Sequence, residues 1–278
     1  MRSGVAEQIP YSLSRWTDVP AAKWDWFKAQ IASGSMMAID PRNAIPYVWS
    51  LRPEDTLGLV FWTKDPRNLI LDAPWLKDYR YKVHITVTGW HEVEKGAPDI
   101  REGKIGLYVA AKELGPENVT WRFSPVPMVP DVVERFTEIA EMAGEAGVKK
   151  VYLSFLQTND LMPEVRSEIE RRELLVRLGE VGAKVGVRVL LCNEDRLLAG
   201  HPNLHPNLGS GICAPPEDFE LPGLARSPSE GCGCALSADP FTINESCTFG
   251  CLYCYAADKE LAQKKRNTTP ARHLPVVR

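Results

Sequence analysis

The stretch NVTWRFSPVPMVPDVVERFTEIAEMAGEAGVKKVYLSFL, residues 118–156, decides the fold. It opens with a strand-like run, Asn118–Ser124, rich in β-branched and aromatic residues. Pro130 and Asp131 then suit a helix start, and the helical pattern ends at Gly147. A second strand-like run, Lys149–Leu156, follows. The apolar helix residues repeat on one face: Val132, Val133, Phe136, Ile139, Ala140 and Ala143. The stretch therefore predicts a strand, a crossover helix and a second strand.

The same alternation extends in both directions along the chain. Further strand-like runs are Pro10–Ser14, Leu57–Thr63, Lys82–Thr88 and Val185–Leu191, and helical runs cover about Pro20–Ser33 and Pro163–Lys184. Six alternations with short connections predict a parallel α/β sheet, closed fully or partly as a TIM-type (β/α)6 barrel. A doubly wound sheet fits less well, because no G-x-G-x-x-G turn follows the first strand.

Length and composition bound the class of protein. The 278 residues suit one large domain, and 44% apolar with 25% charged residues excludes bulk disorder. A net charge of −3 argues neither for nucleic acid nor against it. The first residues lack a signal-peptide pattern, and no apolar run reaches the roughly 18 residues of a membrane span. We therefore expect a cytoplasmic protein with no membrane association.

The chain divides into three parts within one structural domain. Residues 1–192 are predicted to form the barrel strands and helices. Residues 193–238 are dense in Pro, Gly, Ser and Cys, which predicts an irregular segment ordered by metal. Residues 239–278 are predicted to contain a short strand, a cysteine loop, a helix and a basic tail.

All seven cysteines fall between positions 192 and 254. A reducing cytosol disfavours disulfides, so metal ligands are the better interpretation. Cys247, Cys251 and Cys254 form a C-x3-C-x2-C triplet, with Gly250 allowing a tight turn. Three thiolates neither complete a tetrahedral zinc site nor saturate a four-iron cluster. The alternative is a zinc site completed by another cysteine or by one of two histidines, His201 and His205.

The other four cysteines predict a second metal site. Cys192 ends a predicted strand, and Cys213, Cys232 and Cys234 lie on the irregular segment. They could hold an auxiliary [4Fe–4S] cluster or structural zinc, and the Cys-x-Cys spacing does not decide between these.

The triplet also carries a resemblance. CTFGCLYC, residues 247–254, is similar to the signature of the radical S-adenosylmethionine enzymes, whose three cysteines hold a [4Fe–4S] cluster that binds the cofactor at its fourth iron. Tyr253 fills the aromatic position of that signature, which usually meets the adenine.

Four longer runs resemble the family of the domain of unknown function 1848. They are SRWTDVPAAKWDWF (14–27), LVFWTKDP (59–66), WRFSPVP (121–127) and GCGCALSADPFTINESCTFGCLYCYA (231–256). In ordinary radical enzymes of this type the cysteine motif follows the first barrel strand. Here it comes last, which the resemblance explains as a circular permutation that a barrel tolerates.

The resemblance implies reductive cleavage of S-adenosylmethionine to a 5′-deoxyadenosyl radical, with an electron donor such as flavodoxin or ferredoxin. Cofactor-binding groups would then lie at the carboxyl ends of the strands. Arg15 or Arg122 would hold the cofactor carboxylate, and Thr86, Thr88 and Ser154 its ribose or amino group. Other polar groups at these ends are Ser14, Asp18, Thr63, Lys64, Ser124 and Gln157. The plainer alternative makes Arg15 and Asp18 a structural ion pair and Arg122 a surface charge.

The substrate is predicted less directly. Residues 255–278 carry six basic side chains against Asp258 and Glu260, a local balance of +4. This tail, with a resemblance to enzymes such as spore photoproduct lyase, favours isomerisation or repair of a base in nucleic acid. Modification of a peptide or small metabolite is an alternative, as is a non-catalytic iron–sulfur or zinc protein. Among the histidines, His84 is expected to be a satisfied interior residue.

Overall fold

The computed structural model describes residues 10–13, 17–39, 46–156, 166–220, 233–235, 237, 239 and 247–254. In chain order the strands of this part are β1 (Tyr11–Leu13), β2 (Ser35–Ile39), β3 (Pro46–Ser50), β4 (Leu59–Thr63), β5 (Tyr81–Thr86), β6 (Val119–Val126), β7 (Lys150–Phe155), β8 (Arg188–Leu191) and β9 (Leu208–Ser210). Its α-helices are α1 (Val19–Ala22), α2 (Trp24–Ser33), α3 (Arg67–Leu71), α4 (Ile100–Leu114), α5 (Val132–Ala146) and α6 (Glu168–Lys184).

Seven of these strands form one parallel sheet. Its order is β1-β4-β5-β6-β7-β8-β9, so successive sheet strands of the chain are neighbours. The order never reverses, unlike that of a doubly wound sheet. The predicted α/β fold with a parallel sheet is confirmed, and the described strands form a singly wound sheet with β1 and β9 at its edges.

The helices cover one face of the sheet, where most of the core lies. Phe61 of β4 packs against Phe27 of α2, with ring centroids 5.7 Å apart. Trp121 of β6 packs against Phe136 of α5 at 4.9 Å. All four rings are buried. Successive strand residues point to opposite faces of the sheet, so Phe61 and Trp121 face the helices while their neighbours in the strand face away. The predicted α5 apolar face is confirmed for Val132, Phe136, Ile139, Ala140 and Ala143, which are buried, whereas Val133 is only half-buried.

A smaller cluster lies on the opposite face. Val60 and Tyr152 are buried against Phe219 and Cys213, which come from the chain after β9. Tyr152 also donates a hydrogen bond from its hydroxyl to the carbonyl of Ile212, at 2.6 Å. The cysteine-rich part of the chain is therefore packed onto the sheet face that the helices leave free.

Four strands differ from the sequence predictions, and the helix predicted over about Pro20–Ser33 is divided at Lys23 into α1 and α2. β2 and β3 pair as an antiparallel hairpin that the alternation did not reveal. β9, at Leu208–Ser210, lies in a segment predicted to be irregular, because a three-residue strand is too short to leave a periodic signal. The third predicted strand ends at Thr86 instead of Thr88. The predicted strand at 239–247 and the helix and tail at 255–278 lie mostly or wholly outside the described residues.

None of the helices within the described ranges is both long enough and apolar enough to cross a membrane.

Candidate functional site

The triplet loop, residues 247–254, docks at the carboxyl edge of the sheet. The Gly96 N–H donates to the Phe249 carbonyl, and the Leu252 N–H donates to the Val93 carbonyl, both at 3.0 Å. Gly96 and Val93 belong to the loop that follows β5. These two backbone bonds bring a sequence-remote cysteine loop to the place where the carboxyl ends of parallel strands meet.

Two glycines allow this docking. Gly250 has φ 56°, in the left-handed region that favours glycine, which confirms the tight turn expected between the cysteines. At Gly96, an added Cβ would lie 2.7 Å from the Thr248 carbonyl oxygen and 2.9 Å from the Phe249 Cα. Backbone atoms cannot move aside as a flexible side chain can, so the close approach of the two loops requires glycine at position 96.

The triplet thiols are partly or fully buried, and their charges act on one another. Cys251 is buried, and Cys247 and Cys254 are half-buried. Burial raises the pKa of Cys251 to about 12, and the charges of Cys247 and Cys254 also act upward on it. Burial likewise raises the pKa of Cys247, although the Phe249 backbone N–H favours its thiolate. Lys64 lowers the pKa of Cys251, so a cation faces the place where thiolates would gather.

A buried carboxylate, Glu94, organises the side chains beside the triplet. It accepts from Lys64 Nζ at 2.8 Å through one oxygen and from Thr88 Oγ1 at 2.8 Å through the other. The Tyr253 hydroxyl also donates to Glu94. Thr88 in turn accepts from the Trp90 backbone N–H at 3.1 Å. One network thus fixes four polar groups, which come from the end of β4, the loop after β5 and the triplet loop.

Asp18 links this network to α1. Its carboxylate accepts from the Lys64 backbone N–H at 2.7 Å and caps α1 by accepting from Ala21 N–H at 3.0 Å. Burial raises the pKa of Asp18 to about 7, against the lowering effect of these N–H groups. Asp18 also contacts Cys247. The Asp18 charge raises the pKa of the Cys247 thiol, and the Asp18 backbone N–H lowers it.

Two stacked aromatic rings, those of Trp90 and Tyr253, complete the site. The rings of Trp90 and Tyr253 stack with centroids 5.9 Å apart and planes 20° from parallel. Lys64 Nζ lies 5.8 Å from the Tyr253 ring centroid. Trp90 is fully buried, and its Nε1 has no hydrogen-bond partner among the described residues. Tyr253 is therefore held by its hydroxyl and by its ring together.

A second group of cysteines lies on the free face of the sheet. Cys192 Sγ is 3.8 Å from Cys213 Sγ, and Cys213 Sγ is 3.3 Å from Cys234 Sγ. The three come from the end of β8, from the chain after β9 and from the short described stretch 233–235. Hydrogen bonds from the other two thiols hold the pKa of Cys213 far below its ordinary value, with help from the Arg122 charge. Cys232 lies outside the described residues.

Arg122 and His84 border this second group. The Arg122 guanidinium carbon lies 5.2 Å from the Trp62 ring centroid, and its Nη1 is buried without a hydrogen-bond partner among the described residues. Burial lowers the pKa of Arg122, but Cys213 and Cys192 outweigh that effect and raise it. His84 stacks on Trp62 at 4.2 Å, and burial lowers its pKa to about 3. Arg122 is therefore not a surface charge.

The expectation for His84 is half right. It is 1% exposed, as an interior residue should be. Both its ring nitrogens nevertheless lack a hydrogen-bond partner within the described part of the chain, so it is not a satisfied histidine there. The backbone of Cys213 still acts on His84 by raising its pKa, against the larger lowering effect of burial.

The predicted cofactor-binding residues fall into two groups. Thr88 and Tyr253 lie beside the triplet, each with its hydroxyl donated to Glu94. Arg122 and Ser154 lie on the free face beside the second cysteine group, and Ser154 shares a hydrogen bond with Ser124. Thr86 pairs with Arg122 across β5 and β6. Arg15, Ser14 and Gln157 lie outside the described residues, so their predicted roles stay predictions.

Sequence reasoning missed Glu94, Val93 and Gly96. They lie seven or more residues beyond Thr86, where the rule of polar groups at strand ends does not reach. A signal was present in the sequence, because WHEVEKG (90–96) places two acidic residues directly after a strand and its turn. His205, one of the two histidines considered as zinc ligands, has another role, because its Nδ1 accepts a hydrogen bond from the Asn207 N–H at 3.1 Å.

The donor set at the triplet is three soft thiolates, which both zinc and iron–sulfur clusters accept. In the described part of the chain, no group of three Cys, His, Asp or Glu side chains has the geometry of a preformed metal site. Three soft thiolate donors beside a buried lysine suit an iron–sulfur cluster, whose irons each take a separate thiolate. Cys247, Cys251 and Cys254 would hold it, and Lys64 would offset their negative charge.

Fold and site together define a class: a singly wound parallel α/β protein with a three-cysteine loop at the carboxyl edge of its sheet. Comparison with known families makes this specific. The family model described as "Domain of unknown function (DUF1848)" matches residues 11–256, and the chain belongs to this family.

Other comparisons add little to this assignment. A search of the curated proteins finds no match. Among solved structures, D-allulose 3-epimerase from Methylomonas sp. is similar at 14% identity and a TM-score of 0.31, covering 51% of this chain and 54% of that one. A sugar phosphate isomerase/epimerase from Parabacteroides distasonis ATCC 8503 is similar at 16% identity and a TM-score of 0.28, covering 48% and 49%. The chain thus spans about half the length of these structures.

Proposed function

We propose that this protein is a radical S-adenosylmethionine enzyme whose [4Fe–4S] cluster is held by Cys247, Cys251 and Cys254. The observation that carries the proposal is the docking of the triplet loop onto the β5 loop through Gly96 and Val93. It brings three thiols to the carboxyl edge of a parallel sheet, where α/β proteins of this kind bind their ligands. A circularly permuted barrel, with the triplet on its displaced first strand, is part of the same proposal.

When bound, the cluster and S-adenosylmethionine would supply reductive cleavage of the cofactor, giving methionine and a 5′-deoxyadenosyl radical. The residues of the chain bind, orient and shield. Glu94 fixes Tyr253 and Lys64, so the loop carrying Cys251 and Cys254 has one orientation. The buried Trp90 ring and the half-buried Tyr253 ring stack beside the triplet, where they would shield one side of it from water.

The substrate proposal rests on sequence alone. The basic residues of 255–278 follow the triplet directly and favour an anionic substrate, for which we propose a base within nucleic acid. Substrate-dependent release of 5′-deoxyadenosine, measured with thymine-containing oligonucleotides against peptides and small metabolites, would rank the classes. A greater response to peptides would contradict the nucleic-acid choice.

The experiment for the enzyme class is anaerobic reconstitution with iron and sulfide. The reduced protein is then given S-adenosylmethionine, and 5′-deoxyadenosine and methionine are quantified. We expect both products from the wild type and none from Cys251→Ala. Thr248→Ala is the matched control, because its exposed side chain lies in the same loop and carries no thiol. A reconstituted wild type that binds cluster iron but forms neither product would favour a non-catalytic iron–sulfur protein.

A further inference from the structure

The free face of the sheet carries polar side chains toward its carboxyl end. Thr86 of β5, Arg122 of β6 and Tyr152 of β7 are register partners. Ser124 and Ser154 come two residues later on β6 and β7, and a hydrogen bond joins their hydroxyls. Residues two apart on a strand share a face, so these side chains line one surface. Tyr152 is buried there, and the other four side chains are half-buried, which leaves them partly open to solvent.

The Arg122 guanidinium has more N–H donors than acceptors around it. A guanidinium carries five N–H groups and no acceptor of its own. Its Nη2 donates to the Ser124 hydroxyl at the long distance of 3.5 Å, and the Cys213 and Cys192 thiols also act on it as acceptors. Its Nη1 is buried without a hydrogen-bond partner among the described residues. Unsatisfied donors on a buried cation are costly, so an acceptor from outside the chain would be stabilising here.

Aromatic stacking holds this cation. The Arg122 guanidinium carbon lies 5.2 Å from the Trp62 ring centroid, which is a cation–π contact. His84 stacks on the same indole at 4.2 Å, and the Trp62 Nε1 donates to the Ser12 hydroxyl at 2.9 Å. Within the described part of the chain, no Asp or Glu forms an ion pair with Arg122. The guanidinium is thus positioned by rings and keeps its capacity for a carboxylate or phosphate.

We infer that Arg122 and the hydroxyls of Thr86, Ser124 and Ser154 bind the carboxylate or phosphate group of a small-molecule ligand on the free face of the sheet. A guanidinium fork matches two oxygens of either oxyanion, and hydroxyls donate to the others. The ligand is an acidic substrate and not the cofactor, because the proposed cofactor would bind at the triplet. The described contacts of Arg122 are instead with Trp62, Ser124 and the thiols of the second cysteine group.

Titration of the full-length chain with inorganic phosphate and with succinate tests the site. Calorimetry at constant ionic strength and equal metal content should show saturable binding, and the tighter of the two probes identifies the oxyanion. Arg122→Gln should weaken that binding at least about ten-fold, because charge-assisted hydrogen bonds are lost. Arg188→Gln, an exposed change at the amino end of β8, is the matched control and should keep the wild-type affinity. A wild type that binds neither probe, or equal affinities of wild type and Arg122→Gln, would overturn the inference.

Two further variants keep the test open if Arg122→Gln does not fold. Arg122→Lys retains the charge and loses the planar fork, so its affinity should lie below that of the wild type. The double variant Ser124→Ala with Ser154→Ala removes two donors and leaves the guanidinium in place, and it should also bind more weakly. Wild-type affinity in both variants would place the bound anion elsewhere and overturn the site.

This inference and the proposed function can fail separately, because oxyanion binding does not require cofactor cleavage. A wild type that binds the oxyanion and forms no 5′-deoxyadenosine would remove the proposed function alone. Cofactor cleavage by a wild type that binds neither phosphate nor succinate would remove the oxyanion site alone. If Arg122→Gln lost S-adenosylmethionine binding and kept oxyanion binding, Arg122 would have the cofactor role that the resemblance implies, and the inference would be overturned.

Discussion

At the scale of single residues, Glu94 is the side chain beside the triplet that is held by several hydrogen bonds at once. Its carboxylate is 5% exposed and accepts from Lys64, Thr88 and Tyr253. A buried charge without its partner is destabilising, whereas a fully paired one is close to neutral. The network therefore matters less for the net stability it adds than for the single arrangement of Lys64 and Tyr253 that it permits.

Glu94→Gln should lower the free energy of unfolding by about 3–5 kcal/mol, because it leaves the Lys64 ammonium buried without an opposing charge. Urea unfolding at fixed metal content measures the loss. Glu220→Gln is the control, since Glu220 pairs with Arg80 where the two side chains are 77% and 40% exposed, so its loss should stay below about 1 kcal/mol.

The double variant Lys64→Met with Glu94→Gln sharpens this prediction. Removing both charges should recover a large part of the loss, because no unpaired ion is left. Equal losses for Glu94→Gln and Glu220→Gln would show that the buried pair contributes nothing beyond a surface pair.

At the scale of elements, the site depends on two loops that meet without side chains between them. The loop after β5 and the triplet loop approach through backbone atoms at Gly96, Thr248 and Phe249. Their separation is fixed by hydrogen bonds of 3.0 Å. One methyl group added at position 96 would therefore disturb the contact between the triplet loop and the loop after β5.

Gly96→Ala should unseat the triplet loop while the sheet and helices persist. The added Cβ meets carbonyl oxygen and Cα at under 3.0 Å, and such overpacking costs about 1–3 kcal/mol. Cluster iron retained after reconstitution should therefore fall roughly ten-fold.

Iron and sulfide content, read beside far-UV circular dichroism, measures the effect of Gly96→Ala. Lys95→Ala, an exposed neighbour in the same loop, should retain the wild-type iron content. Wild-type iron in Gly96→Ala would mean that the loops are not in contact through this position.

At the scale of the whole molecule, one core joins the sheet to its helix layer. Phe136 lies 4.9 Å from the Trp121 ring and 5.1 Å from the Phe123 ring, and it is fully buried. The same cluster continues through β4, β5 and β7. Removing the Phe136 ring from the centre of this core should therefore destabilise the described sheet as a whole and not one helix alone.

Phe136→Ala should lower the free energy of unfolding by about 3–5 kcal/mol, since it removes a buried ring and leaves a cavity. Circular dichroism and tryptophan fluorescence should report the same lowered urea midpoint. Glu141→Ala, exposed on the same helix, is the control and should change the midpoint little. Two separated transitions would indicate that the helix layer and the sheet unfold independently.

Six of the seven strands of the parallel sheet could be predicted from sequence because each of the six carries its own signal. Val119–Val126 and Lys150–Phe155 are long enough to show β-branched and aromatic enrichment, and α5 shows its apolar face over fifteen residues. Leu208–Ser210 could not be predicted, since three residues form a strand only because β8 offers them a partner.

The sequence by itself determined the parallel α/β fold and the residue types available for chemistry, because periodicity and cysteine spacing are local properties of the chain. Tertiary structure alone decided which of those residues meet. It brought Cys251 to Lys64 and Glu94, and it set Cys213 against Cys192 and Cys234. Such contacts join positions that are tens to nearly two hundred residues apart, and their distances depend on packing, which no local pattern records.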